Sequence, residues 1–383
     1  MLARRSLTAL AAVGAGAASL LFGTCGPFTD VAADSFCPFV LEIFTLGITT
    51  GTTATTYDPT SSVSRLQMAT FLSRSVDGVL KRGSRRSVLG QPWTARPESG
   101  LGLVTVGLGP NYLQSDGQDV WVSNFSSSTI SRVRVSDGKL LETWTGAYGG
   151  QGVLVAMWRV FAAGYTNPGS LFRIDPSQPA GAVTTVASTL GGLPFGVAFD
   201  GARIWTANST GSVSIVTPTA SIPWTVTTVT TGFNAPWGIL FDGSRIWVAD
   251  HNAGTLLKLD STGAILQTVT VGEFTTFPVF DGTNIWAPVP VFPLGVAVVR
   301  ASTGTVLQTL TGNGLNGPSV AAFDGQRVLV TNFDGDSVSL WKAADLSPIG
   351  SFSTGAGTRP LGACSDGRGF WVALDFSNLI GQF

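Results

Sequence analysis

The chain has 383 residues and a net charge of −1, with 44% hydrophobic and only 12% charged residues. So few charges beside 23 Phe and 11 Trp exclude a disordered chain, and the charge balance excludes a nucleic-acid binder. The 48 glycines, with abundant β-branched and aromatic residues, predict a large, mainly β body.

Residues 1–24 read as a targeting segment. Arg4 and Arg5 precede a small-residue apolar stretch that ends near Phe22. This is the pattern of a secretory signal peptide, with an uncleaved signal anchor as the alternative. It predicts a protein that works outside the cytoplasm, secreted or in the cell envelope. Cys25 and Cys37 are candidates for a disulfide in such an oxidising compartment. Cys364 stands in a strand-like run, Pro360 to Ser365, and reads as a small buried hydrophobe.

Residues 25–80 read as helix, loop, helix. Phe36, Phe39, Val40, Ile43, Phe44 and Leu46 recur at near-helical spacing, and Gly47 ends that helix. Tyr57-Asp-Pro59 belongs to a turn-rich connection. Ser64 is a natural N-cap, and Gln67 completes a capping box. Met68, Ala69, Leu72, Val76, Val79 and Leu80 then share one helical face.

Four segments of this stretch carry a family pattern: Phe28-Thr-Asp-Val31, Leu46-Gly-Ile-Thr-Thr-Gly51, Tyr57-Asp-Pro59 and Val63-Ser-Arg-Leu-Gln67. In order and spacing they resemble the S-layer homology (SLH) module. The resemblance implies noncovalent attachment to cell-wall polysaccharide, or to another envelope component, with Ser64, Arg65 and Gln67 as the glycan-binding candidates. The family's Thr-Arg-Ala-Glu helix start is Ser64-Arg-Leu-Gln67 here, and one module stands where three are usual. A helical hairpin that spaces or oligomerises is the alternative reading of the same residues. Residues 81–99, with Lys81-Arg-Gly-Ser-Arg-Arg86, Pro92 and Pro97, form a basic and proline-containing linker.

Residues 100–383 repeat one unit. Asp-Gly pairs begin at Asp116, Asp200, Asp242, Asp281, Asp324 and Asp366. The spacing is about 42 residues, with one gap of twice that length. Val155 to Phe161 fills the gap with a degenerate copy. A large residue follows each Asp by five positions: Trp121, Trp205, Trp247, Trp286, Leu329 and Trp371. Asn124, Asn208, Asp250 and Asn332 follow by eight. Four short strands per unit predict a seven-bladed β-propeller. The outer strand of its last blade is expected from Leu101–Gly107, which closes the ring. The grammar resembles the YVTN/NHL/virginiamycin-lyase-like superfamily of propellers. That resemblance speaks to fold and hardly to activity.

If strands run from inner to outer, Asn124, Asn208, Asp250, His251 and Asn332 fall on one loop face. They are the candidates for a propeller site, although Asn and Asp at such positions also cap their own turns. The lone His251 lacks partners for a histidine metal cluster or an acid–base pair, and it reads as an exposed loop residue. No catalytic residue, metal site or cofactor is assigned. A divalent cation held by loop carbonyls and Asp334 or Asp336 is the one option kept open. The Trp column is expected to pack between blades. These readings point to an exported envelope protein whose SLH-like module attaches or orients a propeller that serves as a binding platform. An extracytoplasmic lyase- or lactonase-like enzyme and a purely structural surface-layer component are the alternatives.

Overall fold

The computed structural model describes residues 102–383 without a break, and parts of the N-terminal module between residues 27 and 72. The leader, Cys25, Arg65 and the basic linker lie outside the described residues. The chain divides into two compact units, Met1–Pro92 and Trp93–Phe383.

In the first unit, the SLH-like segments meet. Phe28 is fully buried and packs edge-on against Phe44, with ring centroids 5.2 Å apart, and against Tyr57 at 5.7 Å. The Asp30 carboxylate accepts the backbone N–H groups of Tyr57 at 2.9 Å and Asp58 at 2.6 Å. Those bonds hold its pKa below the usual value. Gly51 has φ of 77°, and a methyl group there would strike Phe28 and the Thr56 carbonyl. The expected capping box is present. Gln67 N–H donates to Ser64 Oγ at 3.2 Å, and Ser64 N–H donates to Gln67 Oε1 at 2.9 Å. Met68 and Leu72, on the face expected to be buried, are exposed. Cys37 is disulfide-bonded.

The second unit is a ring of seven four-stranded antiparallel sheets. Its strands are numbered β1–β28 in chain order. Blades one to six occupy residues 110–145, 150–190, 194–229, 236–270, 279–310 and 318–353. Blade seven combines β26 (Pro360–Ser365), β27 (Phe370–Leu374) and β28 (Leu379–Gln382) with β1 (Leu103–Thr105). Val104 pairs with Ile380, so the start and end of the unit share one sheet. That is the closure expected for Leu101–Gly107, trimmed to three residues.

The ring has seven apolar clusters, one per seam between blades, rather than one central core. Trp121, Trp205, Trp247, Trp286 and Trp371 are fully buried in five of these seams. Phe161 and Leu329 fill the other two. This confirms the inter-blade packing expected of the Trp column.

The Asp five residues earlier has a second role beyond its turn. In each Trp-containing blade one carboxylate oxygen accepts the backbone N–H groups two and three residues on. The other oxygen accepts the indole Nε1–H, at 2.9, 2.7, 2.8, 2.7 and 2.9 Å for Trp121, Trp205, Trp247, Trp286 and Trp371. Where the indole is lost, its acceptor changes too. Asp324 in blade six takes Arg327 Nε–H at 2.8 Å instead. Blade two has Ala156 in place of Asp, and its turn is a two-residue one with φ of 52° at Met157 and 59° at Trp158. The Asp-Gly turns are tight, as expected, with Asp at their first position: Asp116 N–H donates to Asp119 C=O at 3.0 Å between the paired Ser115 and Val120.

Six of the seven inner strands carry a bulge just after the first residue, the two-residue β18 (Val279–Phe280) of blade five being the exception. Glycine often stands in the bulge because the neighbouring blade's backbone lies against it. A methyl group on Gly152 would sit 2.5 Å from the Phe195 carbonyl oxygen, and one on Gly196 2.5 Å from that of Trp237. Gly362 faces the Asn111 carbonyl in the same way.

Candidate functional site

Register places two kinds of loop on one face of the ring. Pro110 pairs with Asn124, Pro194 with Asn208, Pro236 with Asp250 and Pro318 with Asn332. Inner strands therefore start where second strands end, as the sequence predicted. The Asp-Gly turns lie on the opposite face.

The column at plus eight sits inside this face rather than on it. Asn124, Asn208, Asp250 and Asn332 are buried. Asn208 donates from Nδ2 to Ser212 Oγ at 3.1 Å and Ser214 Oγ at 3.0 Å. Asn124 and Asn332 bond Ser and Thr hydroxyls of their own blades in the same manner. Asp250 accepts the backbone N–H groups of Asn234 at 2.8 Å and Ala235 at 2.7 Å, which fixes the loop entering its blade. These residues brace the loops.

His251 differs from the exposed loop residue expected. It is half-buried and stacks on Trp237 with ring centroids 3.5 Å apart and planes 2° from parallel. Its Nδ1 lies 3.1 Å from the Thr275 carbonyl. Burial pulls its pKa below the usual 6.5, against the opposing backbone bonds to Thr275 and Phe274 and the charge of Asp250. A base depressed in the folded state contributes stability above its unfolded pKa and loses that contribution as pH falls through the window below it. The single imidazole NMR signal of this one-histidine chain is therefore expected to titrate below 6.5. His251→Phe, which keeps the stack, should flatten the loss of stability between pH 7 and 5. A titration at or above the free-imidazole value would contradict this.

His251 belongs to a run of aromatic rings across the channel mouth. Phe125 meets Tyr165, Tyr165 meets Phe195, and Phe195 stacks on Trp237 at 4.8 Å. His251 continues the run to Phe274 at 5.1 Å. Phe277 of blade five reaches across the ring to Tyr112 of blade one at 4.5 Å, and it also approaches Phe195 at 6.3 Å. Between them, Asn111 Nδ2–H donates to Gln151 Oε1 at 3.1 Å. Leu108, Phe125, Tyr148, Phe274, Phe292 and Phe376 are exposed on the loops of this face. Sequence reasoning reached His251 but missed the rest of the run, whose residues do not recur from copy to copy.

A second cluster sits at blades six and seven. The Arg359 guanidinium lies over the rings of Phe333 at 5.2 Å and Phe376 at 4.7 Å. Asp375 is half-buried beside it, and burial raises its pKa against the lowering effect of Arg359. Asp336, one of the two proposed cation ligands, instead accepts the backbone N–H groups of Gly357 at 2.6 Å and Arg359 at 2.8 Å. Among the described residues no group of three or more His, Cys, Asp or Glu is placed to hold a metal ion. Cys364 is free and buried in a seam, as expected.

The turn face carries a cavity of about 240 Å³ between blades three and four, lined by Asp200, Arg203, Arg245 and Asp260 among others. Its Arg203 is already committed. It pairs with Asp200 at 2.9 Å, donates to the Ser261 carbonyl at 2.7 Å and lies over Trp205.

Comparison with known proteins separates the two units. Residues 27–69 match the model of the S-layer homology domain. No curated protein matches the chain. Among solved structures, a virginiamycin B lyase from Staphylococcus aureus aligns with a TM-score of 0.59 at 17% identity, covering 73% of this chain and 98% of that one. A streptogramin B lyase gives 0.58 at 15% identity, covering 73% and 96%. Hydrazine synthase of Kuenenia stuttgartiensis gives 0.58 at 14%, covering 76% and 99%. At these identities the likeness is one of fold. The chain thus joins an S-layer homology domain to a seven-bladed β-propeller of the kind seen in virginiamycin B lyase.

Proposed function

We propose that this is an exported envelope protein in which the SLH module holds the chain on an anionic cell-wall glycan while the propeller presents its aromatic loop face as a binding platform. The observation that carries the reading is the match at residues 27–69. The same stretch has its family-pattern residues interlocked, with Phe28 on Tyr57, Asp30 on the Tyr57–Asp58 turn, and Ser64 with Gln67. SLH domains associate with the cell surface, and no helix among the described residues is long and apolar enough to cross a membrane.

Arg65 follows Ser64 in sequence and stands where the S-layer homology pattern has its arginine. A guanidinium there adds planar, two-pronged recognition of a carboxylate. One module offers one such contact, so a monomer is expected to bind weakly, and several chains presented together more strongly. In co-sedimentation with purified acidic cell-wall polymer, Arg65→Ala should reduce retention by about ten-fold at low salt. The difference should shrink as salt rises. Equal retention of both proteins removes Arg65 from the contact. No retention of either, even when oligomerised, assigns residues 25–80 to spacing.

A further inference from the structure

The residue seven positions before each Asp-Gly, or before Ala156 in blade two, stands in the loop entering the inner strand, and it takes a left-handed backbone in most blades. Gly109, Gly149 and Gly317 supply it with φ of 64°, 61° and 63°. Leu193, Phe274 and Arg359 supply it at 55°, 59° and 45°, where a side chain is disfavoured. Two of these three, Phe274 and Arg359, project exposed large side chains from the loop face. Backbone strain kept at a position where sister copies use glycine points to a use for the side chain.

Three polar groups around Arg359 have partners missing. Among the described residues, the Arg359 guanidinium makes no hydrogen bond or ion pair, although it lies over two phenylalanine rings. The half-buried Asp375 carboxylate accepts no hydrogen bond. The Tyr112 hydroxyl, on a residue 9% exposed, makes no hydrogen bond among the described residues either. Pro360, next to Arg359, pairs with Leu374, next to Asp375, and a methyl group on Gly362 would sit 2.9 Å from Tyr112 Cα, so the three residues meet at one end of the seam between blades seven and one. A buried phenol and a half-buried carboxylate normally find partners, and left open they call for one from outside, beside which the exposed Arg359 guanidinium stands. An unpaired guanidinium wants a carboxylate, an unpaired carboxylate wants a hydroxyl donor, and a phenol serves either way.

We infer that the channel mouth at blades one, six and seven is a binding site for an acidic sugar, with Arg359 taking the ring's carboxylate, Asp375 and Tyr112 taking its hydroxyls, and the neighbouring aromatic rings taking its apolar face. The inference deepens the platform reading above, on which it rests, by naming the ligand class. It does not depend on Arg65.

The test uses the full chain and ligand-observed NMR with tetragalacturonate, its methyl ester and phenylalanine as probes. Tetragalacturonate is expected to bind, and the methyl ester about ten-fold or more weakly, because the ester removes the charge that Arg359 recognises. Arg359→Gly should weaken tetragalacturonate binding by roughly 10–30-fold. It should leave the melting temperature within about 2 °C of the parent, because relief of the left-handed strain offsets the lost ring contacts. Arg65→Ala should leave this binding unchanged, which separates failure at the mouth from failure of the module. Equal affinity of Arg359→Gly and parent overturns the inference. So does preference for the methyl ester or for zwitterionic phenylalanine, or loss of binding only in step with a large fall in melting temperature.

Discussion

Truncating Trp247 to alanine is expected to cost the propeller about 3–5 kcal/mol of unfolding free energy. The side chain is fully buried in the seam between blades four and five, against Ala249, Leu256, Ile285 and Ala287. Its removal opens a cavity and strips the Asp242 carboxylate of its indole donor. Two milder changes separate these effects. Trp247→Phe keeps most of the volume and loses the N–H. Asp242→Asn keeps the turn contacts and sets an amide against the indole, donor facing donor. Each is expected to cost about 1–2 kcal/mol. The double variant should cost less than the sum, by about 1 kcal/mol, because neither remaining group then lacks the other. Blade two already shows this solution, with Ala156 and Phe161 at the paired positions. Urea unfolding of the four proteins checks it. Strict additivity would show that the 2.8 Å contact contributes no coupling.

Placing an aspartate at Val104 should have a comparably large effect, about 3–5 kcal/mol, for a different reason. Val104 is the centre of β1 and packs in the seam with Trp371, Val120 and Ile380. Three residue pairs hold β1 to β28, flanked by the backbone bonds from Gln382 N–H to Gly102 C=O and from Val106 N–H to Asn378 C=O, both at 3.1 Å. A charge cannot stay in that seam unpaired, so the strand should leave and expose the edge of β28. The expected result is early unfolding with concentration-dependent association, read by size-exclusion chromatography alongside the melt. Val104→Ala, which keeps the strand seated, should cost only about 1–2 kcal/mol and remain monodisperse. Monodisperse behaviour of both variants with unchanged melting would falsify the closure role of β1.

Much of the architecture was legible because it recurs. The Asp-Gly spacing marked the copies, and Pro360–Ser365, Thr255–Leu259 and Leu140–Thr145 are strands with the bounds the sequence suggested. The reason for the Asp was not legible. Turn chemistry alone accounted for it, and the indole bond at plus five appears only when two ends of a hairpin are folded together. The recurrent column drew the reading toward Asn124, Asn208, Asp250 and Asn332 for a related reason. Recurrence at plus eight signals what every blade needs, and Asn208 and its counterparts are buried braces. Residues around the mouth differ between copies. Asn111, Phe195, Trp237 and Leu361 follow the same inner-strand Pro, and Arg359 replaces a glycine of its sisters. Asking where copies disagree, rather than where they agree, would have reached the mouth from the sequence.

Closure in blade seven also orders events in time. Six blades are built from strands adjacent in sequence, so each can form from local contacts at low entropic cost. The pairing of residues 103–105 with 379–381 joins the two ends of the unit and waits for everything between. Contacts absent at the barrier for folding govern how fast the native state opens rather than how fast it forms. Changes in β1 should therefore act mainly on the unfolding rate, which makes three residues the timer of the ring's lifetime.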